Sequence, residues 1–269
     1  MTLKEATEIL LAGGVENPAY DAKELFMYVG KMSRGELLFE DAKCKSEDLR
    51  AAVMRRAKRE PLQYIIGEVG FYRELYKVSP SCLIPRSDTE ILVDFAVRNI
   101  PEGERFLDLC TGSGCIAIST LKNTKNTTAH AVDISEAALE IARENAEKNG
   151  VTEKITFECA DAREAQEGES FFAVLSNPPY VTESEYSALA PELYFEPRLA
   201  LVGDDEGLEF YKSITNIYKN RLLPNGFIAY EIGSSQGDPL RKIAEENGMT
   251  CEIIKDFSGL DRVAVLRNR

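Results

Sequence analysis

From residue 104 onward, short apolar runs alternate with stretches in which apolar positions recur every three or four residues. The runs predict strands at 105–109, 128–132, 155–159, 171–176, 226–231, 251–256 and 262–267. The stretches between them predict helices at 114–122, 135–149, 207–221 and 235–247. Alternation of this kind predicts an α/β fold, with a mostly parallel sheet covered on both faces. The last two strands are joined through Ser258-Gly259-Leu260, which is too short for a crossover helix, so they should pair antiparallel.

The first 60 residues read differently. Thr2-Leu3-Lys4-Glu5 has the form of a capping box before a short helix that Gly13-Gly14 ends. Asn17-Pro18 supplies a cap with proline at the first helical position, and Leu25, Phe26 and Val29 then share a face until Gly30. Ser33 and Ser46 open two further helical patterns, and Leu49, Val53 and Ala57 recur four apart. The pattern predicts a small helical bundle over 1–60, closed by Pro61. Over 61–85, Tyr64-Ile65-Ile66-Gly67, Phe71-Tyr72 and Leu75-Tyr76-Lys77-Val78 mix aromatic and β-branched with polar positions, which predicts a hairpin linking the bundle to a second domain over 86–269.

Charge follows the same division. Residues 1–85 carry 13 basic and 13 acidic side chains, whereas 86–269 carry 19 and 32, which accounts for the whole net charge of −13. An acidic second part argues against a broad nucleic-acid-gripping surface. The basic cluster Arg55-Arg56-Ala57-Lys58-Arg59 reads either as a contact for an acidic partner or RNA, or as a solvated last turn complementing the helix dipole. No run approaches the ~18 apolar residues of a membrane span, and the acidic start is unlike a signal peptide. The six cysteines form no C-x-x-C pair and the one histidine, His130, sits in a strand pattern, so no metal site is expected. Scattered thiols in apolar runs fit a reducing, cytoplasmic setting.

Candidate chemistry begins where the first strand, 105–109, runs into Cys110-Thr111-Gly112-Ser113-Gly114 and then a helix. A glycine turn at that place lets a ligand approach the backbone, and free amides at the helix start favour a polar or anionic group. Asp133 ends the next strand, 21 residues after Gly112, where an acid can accept both hydroxyls of a ribose. Gly112-x-Gly114-x-x-Ala117 fits both nicotinamide dehydrogenases and S-adenosylmethionine (SAM) methyltransferases. Asp108 favours the second: a carboxylate just before the loop suits the positive charge of a sulfonium ligand and would repel a pyrophosphate.

Asn177-Pro178-Pro179-Tyr180 follows the strand at 171–176. Two prolines stiffen the chain and donate no backbone hydrogen bond. The Asn177 side-chain carbonyl and the Pro178 backbone carbonyl are left as acceptors, and the Tyr180 ring follows. Two acceptors and a ring suit a planar NH₂ group. The motif resembles the substrate motif of SAM-dependent enzymes that methylate adenine N6 in nucleic acid or glutamine N5 in protein.

The motifs Pro61-Leu62-Gln63-Tyr64-Ile65-Ile66-Gly67, Phe71-Tyr72 and Leu83-Ile84-Pro85-Arg86-Ser87-Asp88-Thr89-Glu90 precede the loop at 108–114. After Asn177-Pro178-Pro179-Tyr180 come Glu196-Pro197-Arg198-Leu199-Ala200-Leu201, Gly203 and Gly207-Leu208. In this order, over almost the whole chain, they resemble the release factor glutamine methyltransferase family (HemK type). The resemblance implies a seven-stranded class I methyltransferase domain, Rossmann-like, preceded by a helical bundle that helps bind a protein substrate. It implies SAM as cofactor and, as partners, class I peptide-chain release factors, methylated on the glutamine of their Gly-Gly-Gln loop. By matching position, Cys110 through Gly114, Asp133 and Asn177 would contact SAM, Asp161-Ala162 would lie at the adenine, and Asn177 through Tyr180 would hold the glutamine amide. The family commonly has glycine where Cys110 stands and a bulky aromatic where Ala162 stands. The segment around Arg86, Thr89 and Glu90 would lie against the cofactor pocket, or Arg86 and Glu90 would serve in salt bridges. A ribosomal-protein glutamine and a nucleic-acid adenine are the alternative substrates.

Overall fold

The structure, a computed structural model, describes residues 1–38, 42–164 and 170–269. It divides into two compact units, one of Met1–Glu68 with Ala190–Phe195, the other of Val69–Leu189 with Glu196–Arg269.

The first unit is built on α1 (Leu3–Ala12), α2 (Pro18–Tyr28), α3 (Glu47–Ala57) and the single turn α4 (Leu62–Ile66). The capping box at α1 forms in full: Glu5 N donates to Thr2 Oγ1 and Thr2 N donates to Glu5 Oε2. Ser46 caps α3 through Leu49 N. Asn17 precedes α2 without a side-chain cap. Among the described residues, the helical pattern opened by Ser33 takes the form of a 3₁₀ turn, Glu36–Leu38. Leu3, Ala6, Leu10, Leu25, Phe26, Leu49 and Val53 are the core of this unit.

The basic cluster is only in part a solvated last turn: Arg55 and Lys58 are exposed, but the others are not. Arg56 is 6% exposed, and its Nε donates to Asp21 Oδ2 at 2.7 Å and its Nη2 to Glu192 Oε1 at 3.0 Å. Arg59 grips the same Glu192 with two bonds of 2.6 Å, and Arg55 pairs with Glu60. The guanidinium charges face carboxylates of their own unit, so they are not spare for an acidic partner.

A two-stranded sheet follows, β1 (Glu68–Phe71) and β2 (Glu74–Lys77), which lies in the second unit from Val69 onward. The stretch 64–66, read as extended from its aromatic and β-branched residues, is the turn of α4 instead, stopped by Gly67 at φ 86°. Phe71 and Tyr76 bury themselves against α6 (Cys115–Asn123), where Tyr76 Oη shares a hydrogen bond of 2.6 Å with Ser119 Oγ.

A helix that the pattern missed, α5 (Glu90–Asn99), precedes the large sheet. The sheet comprises β3 (Arg105–Leu109), β4 (Thr128–Asp133), β5 (Ile155–Cys159), β6 (Phe171–Ser176), β7 (Leu222–Glu231), β8 (Met249–Lys255) and β9 (Asp261–Asn268), in the order β5-β4-β3-β6-β7-β9-β8. Every pair is parallel except β7–β9 and β8–β9. The α/β class with a seven-stranded, mostly parallel sheet is therefore present. Successive side chains go to opposite faces. Phe106, Ala173, Leu175 and Phe227 pack with α5 and α6, whereas Leu107, Val174, Ile228 and Tyr230 pack with α9 (Glu209–Tyr218) and α10 (Gly237–Glu246). Helix α7 (Glu136–Lys148) covers the β4–β5 side, and α8 (Glu183–Tyr186) is one turn after β6. β7 starts four residues before its expected start because Pro224-Asn225-Gly226 is a bulge: the register against β6 jumps between Phe171 and Ala173. No helix of the described residues is long and apolar enough to cross a membrane.

Arg56→Ala leaves Asp21 buried without its nearest cation, which should cost about 3 kcal/mol. Hydrogen exchange of the α2 and α3 core amides should then quicken about a hundredfold. An acceleration under about fivefold would mean that the ion pair does not hold this unit together.

Candidate active site

The strand order reverses between β3 and β6. The chain leaves β3 toward β4 on one side and leaves β6 toward β7 on the other. Loops that follow such a pair part from each other and leave a crevice at the carboxyl edge, where ligands of open α/β sheets bind. Leu109 pairs with Ser176 in the register, and Ser176 Oγ donates to the Leu109 carbonyl at 2.7 Å. The glycine loop and the proline loop thus start side by side. A cleft opens there, lined by residues of both loops, among them Gly112, Asp133, Asn177 and Pro179.

Cys110 turns the chain at φ 59°, in the left-handed region. Glycine adopts that region freely, and a residue with a Cβ does so at a cost of ~1–2 kcal/mol. Gly112 N donates to Asp133 Oδ2 at 2.8 Å, and Ser135 N donates to Asp133 Oδ1 at 2.9 Å. Asp133 is thereby tied to the glycine loop and to the turn after its own strand, and burial pushes its carboxyl above the ordinary range.

Asp108 lies under the loop, fully buried. Its Oδ2 accepts from Thr111 Oγ1 at 2.6 Å and Ala117 N at 3.2 Å, while its Oδ1 has no hydrogen-bond partner. Burial pushes this carboxyl up to about 7, against the two hydrogen bonds that pull it down. Asp161 is the opposite case. Arg163 donates to both its oxygens, and that pairing holds its carboxyl below the usual range. The same guanidinium lies 5.1 Å from the Phe210 ring centre.

At the proline loop, Asn177 Nδ2 donates to Thr89 Oγ1 at 3.5 Å, and Thr89 Oγ1 donates to Glu231 Oε2 at 2.5 Å. Tyr180 Oη donates to Glu231 Oε1 at 3.5 Å. Burial pushes Glu231 up to about 6 and Tyr180 up to about 12. Arg86 pairs with Glu196, not Glu90, and Glu196 also accepts from Ile84 N at 3.0 Å. Glu90 accepts from Tyr72 N at 2.7 Å. His130 lies on β4, bonded to Thr156 and Glu158, and is not a residue of the cleft.

Of the candidate residues, Cys110, Thr111, Gly112, Ser113, Asp133, Asp161, Ala162, Asn177 and Pro179 line the cleft. Asp108, Gly114, Pro178 and Tyr180 do not. Gly114 starts α6, with Ile118 and Ala142 so close that a Cβ would crowd them. Pro178 is buried, and Tyr180 turns its hydroxyl to Glu231. The sequence reading missed Ile134, Arg163 and Phe210 on the cleft wall. It also missed Glu231 behind the wall, although a lone acid closing an apolar strand is the signal that had singled out Asp133.

Comparison with known proteins bears on this arrangement. Residues 2–67 match the family model "PrmC N-terminal domain" and residues 87–201 match "Methyltransferase small domain". A release factor glutamine methyltransferase of Thermodesulfovibrio yellowstonii is 38% identical over 256 residues, 92% of this chain and 91% of the relative. One of Moorella thermoacetica is 35% identical over 97% of this chain and 95% of the relative. The chain belongs to the release factor glutamine methyltransferase family. A ribosomal protein L11 methylase of Lactobacillus delbrueckii subsp. bulgaricus superposes with a TM-score of 0.54 at 18% identity, covering 73% of this chain and 87% of that one, which bears on the fold alone.

For a member of this family, the glycines after the proline loop have a definite task. A Cβ on Gly203 would stand 2.4 Å from the Pro179 carbonyl oxygen, and one on Gly207 would stand 2.1 Å from the Tyr180 carbonyl oxygen. Gly207 also holds φ 75°. Close backbone packing from 203–207 therefore sets the shape of the proline loop. Gly207→Ala should cost at least about 2 kcal/mol and displace the loop, lowering methyl transfer by more than tenfold in a labelled-SAM assay. Retention of more than half the activity would show that the loop shape does not depend on this contact.

Proposed function

We propose that this chain transfers the methyl group of SAM to the side-chain amide nitrogen of the glutamine in the Gly-Gly-Gln motif of class I peptide-chain release factors. One observation carries the reading: the loop suited to a nucleoside and the loop suited to a planar amide leave paired residues, Leu109 and Ser176, of neighbouring strands.

The residues present fit SAM. Asp108 Oδ1 is buried without a partner, and a cation in its field would offset the cost of ionising it. Asp133 is held where a ribose-binding acid is expected. Ile134, Leu199 and Phe210 give the cleft an apolar wall for an adenine, so Phe210 supplies the ring that Ala162 lacks. When bound, SAM supplies an electrophilic methyl on a sulfonium sulfur.

The chain's own residues align the acceptor. Asn177 Oδ1, on the cleft wall, would accept a hydrogen of the glutamine NH₂ and turn the nitrogen lone pair out of conjugation, whereas the Pro178 carbonyl, expected as the second acceptor, is not among the cleft-lining residues. An acceptor there also stabilises positive charge as it develops on nitrogen. Alignment of two reactants in a dry site contributes about 7–11 kcal/mol. The proton leaves late, to water. The bundle over 1–60 is assigned to recognition of the protein substrate, the methyl-transfer chemistry to 86–269, with 61–85, which contains the β1–β2 hairpin, between them in sequence. A net charge of −13 disfavours a nucleic-acid substrate.

Methyl-labelled SAM offered with a release factor, ribosomal proteins and DNA should label the release factor, on glutamine. Label on DNA alone would refute the proposal. Asn177→Ala should lower kcat by about a hundredfold and leave the SAM Kd within about threefold. Near wild-type turnover would end the amide-holding role. SAM binding should also depend on pH through Asp108. Its carboxyl is neutral below about 7 and the sulfonium favours the ionised form, so affinity should rise as pH rises through 7 and then level. Asp108→Asn retains the ligand's own titration, so the difference between the two profiles isolates the residue. Identical profiles would remove Asp108 from cofactor binding.

A further inference from the structure

Asn177 carries the proposed chemistry only if its side-chain carbonyl, and not its NH₂, faces the substrate amide. An Asn side chain has nearly the same shape either way round, so something must choose. The hydrogen bonds behind the loop do so. Glu231 ends β7, is 3% exposed, and as a carboxylate can only accept. Thr89, 2% exposed in the 3₁₀ turn before α5, has one hydroxyl proton, and that proton goes to Glu231 Oε2 across 2.5 Å. Thr89 Oγ1 is then left as an acceptor toward Asn177. Only the NH₂ of Asn177 can satisfy it, as found at 3.5 Å. The carbonyl Oδ1 is what remains for the substrate.

We propose that Glu231 and Thr89 are positioning residues, a two-step relay of fixed polarity that sets the rotamer of Asn177 so that an acceptor faces the glutamine NH₂. Glu231 does the same for the aromatic part of the motif, since its other oxygen accepts from Tyr180 Oη. One buried carboxylate thus orders both side chains of Asn177-Pro178-Pro179-Tyr180 that have a choice of orientation. The charge of Arg262, which pairs with Asp88 and Asp256, favours through space the ionised form of Glu231 on which the polarity depends.

The inference rests on the reading of Asn177 given above, and the test separates the two. Thr89→Val keeps the shape of the side chain and removes the relay, whereas Thr89→Ser keeps the hydroxyl. With a release factor as acceptor, Thr89→Val should lower kcat by about 10–100-fold, with the SAM Kd and the melting temperature close to wild type. Thr89→Ser should recover kcat to within about threefold. The side-chain ¹⁵NH₂ signal of Asn177, identified by its loss in Asn177→Ala, should shift in Thr89→Val and stay in place in Thr89→Ser. Glu231→Gln, whose amide can point either way, should fall between the two in kcat. An unshifted ¹⁵NH₂ signal, or a Thr89→Val enzyme with wild-type kcat beside an inactive Asn177→Ala, overturns the relay and leaves the function standing. An active Asn177→Ala overturns the function itself. A kcat loss in Thr89→Val matched by loss of SAM binding or of stability would assign Thr89 a structural role instead.

Discussion

The pairing of Leu109 with Ser176 is the contact on which the rest of the site depends. Parallel neighbours end at the same edge of a sheet, so the loops after β3 and β6 emerge at one level. Because the chain departs from them in opposite directions, no crossover helix closes the gap between the loops. The Ser176 hydroxyl on the Leu109 carbonyl ties the two strand ends just below that gap. A nucleoside-binding turn and an amide-binding turn become useful to each other only through this adjacency. They are separated by more than sixty residues of sequence.

Acids shape the site from behind as well as from within. Asp108, Asp133 and Glu231 sit in or at the end of apolar strands, and each bonds to the backbone or hydroxyl donors of a loop. Burial disfavours the ionised form of all three, and hydrogen bonds return only part of that cost. Such groups are expensive for the fold and are expected where a ligand or a neighbouring loop has a use for them. Asp161 keeps its charge by a different means, a guanidinium that grips it and lies over Phe210.

Much of this was legible without coordinates. The β3–α6 and β6 motifs fall in regular elements whose periodicity is strong, and all seven strands and four of the helices lie within a few residues of their expected places. The failures have physical reasons. Helix α5 is short and apolar between two prolines, so its period competes with a strand reading. Tyr64-Ile65-Ile66 has strand-forming residues, yet the turn of α4 buries Leu62 and Tyr64, and burial outweighs propensity. The Arg55–Arg59 cluster looks solvated because its carboxylate partners, Asp21 and Glu192, are distant in sequence. The hydrogen bond from Tyr180 Oη to Glu231 was not legible either, because its acceptor lies 51 residues on.

By itself the sequence determined the class of fold, the two loops and the kind of chemistry, because these rest on local rules: strand and helix periods, the freedom of glycine, the stiffness of proline. Only the tertiary structure decided which hydrogen bonds and close approaches hold those loops in shape, although Thr89 lies on the cleft wall where its segment was expected. Thr89, Glu231, Gly203 and Gly207 act through contacts across tens of residues, and a hydrogen bond or a close backbone approach between remote segments leaves no periodic mark on the chain.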